Sequence, residues 1–112
     1  MSDAQKFTSN TEMRRILQGM KRNQHKIFSF IGTWINEKGE LPLTQEIQNE
    51  LGLAYATLFD NLEALELKKL IFREKKKYYS QVGGRPPNSV GFTGLGKAIY
   101  TFAVQIKAKG YV

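Results

Sequence analysis

Cysteine is absent from these 112 residues, which excludes disulfide bridges and thiolate metal sites. Histidine occurs once, at His25, among lysines, and no His, Asp or Glu cluster has ligand spacing. No metal and no cofactor are therefore expected. No apolar run approaches the roughly 20 residues needed to cross a bilayer. The opening MSDAQKFTSNTE is polar and lacks the apolar region of a secretory signal, so a cytoplasmic protein is expected. No P-loop is present, Gly94-x-Gly96 is too short for a nucleotide fingerprint, and no carboxylate pair stands apart from ordinary surface charge. Nothing specifies a small-molecule ligand, and no catalytic residues are assigned. Acidic residues are also scarce: 10 against 17 Lys and Arg give a net charge of +7. For so small a chain this favours a polyanionic partner, either nucleic acid or an anionic membrane surface. The length suits one domain with one core.

Residues 1–10 read as a loose tail and 11–112 as a single domain. Met13, Ile16, Leu17 and Met20 recur at i, i+3, i+4, i+7, which predicts an amphipathic helix over 11–21 capped by Asn10 or Thr11. Gln24 to Lys38 carries a wide apolar face, from Ile27 to Ile35, and Gly39 should end it. Glu40 to Leu43 is expected to be extended ahead of and around Pro42. Thr44 is the expected N-cap of a short helix closed by Gly52. Leu58, Leu62 and Leu65 then mark the buried edge of a helix over about 55–68, with Leu67, Leu70 and Ile71 closing the core beneath it. The stretch 44–68 reads as a helix-turn-helix. A hairpin follows over 70–92, with Gly83 to Asn88 as its turn-rich loop. Thr93 should cap a last helix over 93–109, carrying Leu95, Ile99, Phe102 and Ile106 on one stripe and weakened by Gly94 and Gly96. The class is mainly α with a small β-hairpin.

This order, on these residues, resembles a winged helix-turn-helix with extra N- and C-terminal helices. One motif is Ile27-x-x-x-Ile31, Gly39-x-x-Pro42, Glu46-Ile47-x-x-x-Leu51-Gly52, Thr57-Leu58-x-x-x-Leu62-x-x-Leu65 and Lys69-Leu70-Ile71. It is similar to the DNA-binding domain of the repressor LexA and, more loosely, to MarR-type regulators. Gly84-Arg85-Pro86 followed by Thr93-x-x-Gly96 resembles the wing and next helix of PadR-like regulators. The sequence leaves no room for the protease domain into which LexA continues, so a DNA-binding module is expected. It also departs from many such regulators in its recognition helix. Ala54 to Leu67 has no basic residue and three acids: Asp60, Glu63 and Glu66.

The resemblance implies a recognition helix that enters the major groove N-terminus first, with Ala54, Tyr55, Thr57, Phe59, Asp60 and Asn61 facing DNA. Asn61 can pair with adenine, Asp60 can accept from cytosine, and Ala54, Ala56 or Phe59 can meet a thymine methyl. Tyr55 and Thr57 can equally hold phosphates, and Phe59 can equally be core. Most of the attraction is expected from Lys68, Lys69, Arg73, Lys75, Lys76 and Lys77, with Arg85 at the wing tip suited to a narrow minor groove. The two terminal stripes, Met13/Ile16/Leu17/Met20 and Leu95/Ile99/Phe102/Ile106, are the candidate homodimer surface.

The expected function is sequence-specific binding of double-stranded DNA by a homodimeric transcriptional repressor. One alternative is a DNA-binding component of plasmid or phage replication, partition or conjugative transfer. Another is a winged helix that binds protein, favoured by the acidic, aromatic recognition helix. A membrane-surface role fits less well, because the basic residues gather on a hairpin rather than along one amphipathic helix. Neutralising about six phosphates gives a log–log salt slope of roughly −5, and a binding constant that ignores salt would contradict this expectation.

Overall fold

The computed structural model describes residues 9–75 and 88–108. They form five helices and one antiparallel hairpin: α1 (Asn10–Gln18), α2 (Arg22–Lys38), α3 (Thr44–Leu51), α4 (Tyr55–Leu67), β1 (Ile71–Lys75), β2 (Asn88–Phe92) and α5 (Gly94–Ala108). Residues 1–8 of the expected tail, the lysines Lys76 and Lys77, and Arg85 with its loop lie outside the described residues; the tail's last two residues, Ser9 and Asn10, belong to the cap and first turn of α1.

Local chemistry sets the boundaries. The cap of α1 is Ser9, not Asn10 or Thr11: its extended backbone lets its hydroxyl accept from the Glu12 N–H at 3.1 Å. α2 begins at Arg22, two residues before the expected start at Gln24, and stops at Gly39, whose φ of +70° a side chain would strain. Thr44 is likewise not a cap. It occupies the first helical position of α3 and is buried, while Leu43 holds the cap position and donates its N–H to Glu46 Oε1 at 2.9 Å. Gly52, at φ +64°, turns the chain toward α4. The extended segment before α3 makes one bridge, Leu43 to Ser89, beside a bond from the Val90 N–H to the Pro42 carbonyl.

α2 is the central element. It packs against α3, α4, α5 and β2. Ile27 and Ile31 of α2, Ile47 of α3, Leu58, Leu62 and Leu65 of α4, and Leu70 are wholly buried. Phe28, Phe92 and Tyr100 extend this core between α2, the hairpin and α5, with the Phe28 and Phe92 centroids 4.8 Å apart. Leu67 departs from the expectation that it closes the core. It is 75% exposed, since two residues of helix rotate it by about 200° from buried Leu65.

The hairpin pairs Ile71 with Phe92 and Lys75 with Asn88. Thr93 caps α5 as expected, accepting from the Gly96 N–H at 3.0 Å, and its hydroxyl also donates to the Lys69 carbonyl at 2.6 Å. The close approach explains Gly96: a Cβ there would lie 1.9 Å from the Leu70 carbonyl oxygen, a backbone atom that cannot rotate away. The glycine that weakens the first turn of α5 is what lets that turn dock.

Replacing Gly96 with alanine should therefore cost about 2 kcal/mol or more in urea unfolding, at the upper end of ordinary overpacking. An unchanged midpoint would mean that the two backbones are not in contact.

Candidate nucleic-acid interface

The apolar edge of α4 fixes which side of the helix stays open. With Leu58, Leu62 and Leu65 sealed against α2, the exposed residues at the start of α4 are Ala54, Tyr55, Ala56 and Asp60. Tyr55 is 61% exposed at the first helical position. Thr57, Phe59 and Asn61 are only half-buried, not free. Phe59 packs against the core and stacks on Tyr55, with ring centroids 4.4 Å apart. Asn61 uses one amide proton on the Thr57 carbonyl at 2.7 Å, leaving its second proton and its oxygen for another partner. Ala54, Tyr55 and Asp60 are thus presented directly, while the expected roles of Phe59 and Asn61 are divided between the protein interior and the surface.

The cations divide as well. Lys69 and Lys75 are exposed. Lys69 has a left-handed backbone, φ +66°, at the turn between α4 and β1. Lys68 is not a free phosphate contact. Its ammonium donates to the Gly19 carbonyl at 3.1 Å and to Gln24 Oε1 at 2.9 Å, joining the end of α4 to the turn between α1 and α2. Arg73 is also engaged. Its guanidinium donates to Glu66 Oε1 at 2.6 Å and lies 5.5 Å from the centre of the Phe59 ring. Sequence reading counted both as phosphate contacts because they stand in a basic run. Their partners are 49 and 7 residues away, and only the fold brings them together.

The stripes assigned to dimerisation turn inward in part. α1 packs on α5, and Leu17, Met20, Ile99 and Phe102 are buried within the chain, so they offer no surface to a partner as they stand. Met13, Ile16, Leu95 and Ile106 are half-buried. Val104 of α5, which sequence reading did not single out, is half exposed. Between the terminal helices lies an open cavity of about 350 Å³ bordered by Leu17, His25, Ala103 and Ile106. Among the described residues no cluster of three His, Asp or Glu side chains could hold a metal ion. No described helix is long and apolar enough to cross a membrane.

A three-helix core of α2, α3 and α4, flanked by a two-stranded hairpin and extended by a helix at each end, is a winged helix-turn-helix. Within that class, the LexA DNA-binding-domain family model matches residues 17–78, more than half of the chain. The chain belongs to that family. No curated protein matches it. Among solved structures it is similar to Streptococcus pneumoniae FabT in complex with DNA, at 17% identity and a TM-score of 0.66, over 82% of this chain and 57% of that one. It is similar also to Staphylococcus aureus MepR in a DNA complex, at 18% identity and 0.61, over 87% and 65%. The PcaV regulator of Streptomyces coelicolor, solved with its natural ligand, matches at 13% and 0.59, over 87% and 71%. At these identities the likeness carries the winged-helix fold alone. The chain spans less than two thirds of the length of the FabT and MepR chains.

Lys68→Met should remove a charge-assisted tie and lower stability by about 1 kcal/mol, the low end for such a bond because its ammonium is partly solvated. It should leave the salt slope of DNA binding unchanged. A slope flatter by about 0.9 would instead place Lys68 on a phosphate.

Proposed function

We propose that this chain is the sequence-specific duplex-DNA-binding part of a transcriptional repressor that acts as a homodimer. The observation that carries this reading is the open head of α4. Ala54, Tyr55 and Asp60 project from a helix whose opposite edge is fully buried, in a domain of the LexA DNA-binding family. The FabT and MepR structures with DNA support a duplex as the partner.

α4 carries no cation, so it supplies selectivity rather than attraction. Asp60 accepts from a cytosine amino group, Ala54 meets a thymine methyl, and Asn61 uses its remaining amide atoms on a base edge. Attraction comes from Lys69 and Lys75 together with Lys76, Lys77 and Arg85, five cations once Lys68 and Arg73 are set aside. Five phosphate contacts give a slope of about −4.5. A single domain covers little DNA, and two copies on half-sites about one helical turn apart reach the affinity a repressor needs. Met13, Ile16, Leu95, Ile106 and Val104 remain available for that pairing.

One observation favours a protein partner instead. Leu67 and Tyr55, both strongly exposed, stand on an acidic helix that repels phosphate.

Selection of bound fragments from random duplex DNA separates the two. A repressor should enrich one palindromic site with half-sites about 10 base pairs apart. Lys75→Ala with Lys76→Ala, Lys77→Ala and Arg85→Ala should abolish that enrichment. No enriched sequence, or binding unaffected by the fourfold variant, contradicts the repressor reading and supports the protein-binding one.

A further inference from the structure

Four side chains form a continuous contact along the outer face of α4 and onto β1. The Tyr55 and Phe59 rings lie one helical turn apart, 4.4 Å between centroids and 35° between planes. The Arg73 guanidinium lies 5.5 Å from the Phe59 centroid, and its Nη2 donates to Glu66 Oε1 at 2.6 Å. The Arg73 and Glu66 side chains are 25% and 30% exposed, so the pair is largely withdrawn from water. A short, shielded guanidinium–carboxylate bond outlasts a solvated surface pair.

We infer that Glu66 withholds Arg73 from DNA so that the Arg73 guanidinium positions Phe59 and, through it, Tyr55 as the specificity-determining contact at the head of α4. This rests on the DNA-binding reading and deepens it. An unpaired arginine on β1 would attract any phosphate and strengthen binding to every sequence alike. Paired with Glu66, it adds nothing to that uniform attraction. Its guanidinium instead lies over the Phe59 ring, where cation–π attraction favours one ring orientation. Phe59 then backs Tyr55, which stays 61% exposed. A tyrosine at a helix start with nothing behind it would sample several rotamers. Held by Phe59, it presents one ring edge and one hydroxyl to a base pair. Glu66, an acid on a helix that approaches a polyanion, therefore raises the ratio of specific to non-specific binding.

The test measures binding to the selected duplex and to a random duplex of equal length across a salt series, with folding checked by circular dichroism. Tyr55→Ala and Arg73→Gln should each weaken the selected duplex by about tenfold, the scale of one lost base contact, and leave the random duplex and the salt slope unchanged. Tyr55→Phe, which keeps the ring, should retain most of the preference. Glu66→Gln should tighten the random duplex several-fold and steepen the slope by about 0.9, since it frees one cation. Combining Glu66→Gln with Arg73→Gln should return the slope to the wild-type value. The inference is overturned if Arg73→Gln flattens the slope by about 0.9, which marks a phosphate contact, or if Tyr55→Ala leaves the preference intact. Wild-type protein that binds neither duplex overturns the DNA-binding reading itself, and the inference with it.

Discussion

The turn from Lys68 to Leu70 ties the domain together. Lys68 reaches the turn between α1 and α2 with its ammonium. Lys69, in a left-handed conformation, offers its carbonyl to the Thr93 hydroxyl. Leu70 donates to the Leu65 carbonyl, accepts from the Thr93 N–H, buries its side chain wholly and lays its carbonyl against Gly96. Three consecutive residues thus join both terminal helices, α4 and the hairpin. Where α4 points relative to β1 depends on this turn, and so does the relation between a recognition helix and a wing.

On the proposed DNA-binding reading, that geometry separates attraction from selection. α4 is acidic, and of the basic residues that follow it, two are engaged inside the protein. Lys68 holds the fold and Arg73 holds Glu66. Among the described basic residues after α4, Lys69 at the turn and Lys75 on β1 stay exposed. If α4 is the reading helix, its lack of positive charge means that it gains little from mere proximity to phosphate, so a poor base match is not rescued by electrostatics.

Much of this was legible in the sequence, for a physical reason. Apolar spacing reports burial directly, and Leu58, Leu62 and Leu65 are as buried as their period implies. Gly39 and Gly52 punctuate helices because only a left-handed backbone ends them there. The errors fall where one residue answers to a distant one. Thr44 has the chemistry of a cap, yet tertiary burial places it inside the helix. Leu67 is apolar but rotated off the buried edge. Leu17, Met20, Ile99 and Phe102 form apolar stripes that could face a partner, and half of that surface is consumed by α1 packing on α5. The roles of Lys68 and Arg73 depend on residues far along the chain, and a run of basic letters carries no sign of them.

Amide chemical-shift mapping during titration with the selected duplex locates the bound surface on the folded chain. Shifts concentrated on Ala54 to Asn61, Lys69 and Lys75, with the exposed side of α5 quiet, are expected of a recognition helix seated in a groove. Shifts confined to Leu67 or to the α5 face around Val104, with Ala54 to Asn61 unmoved, would contradict it.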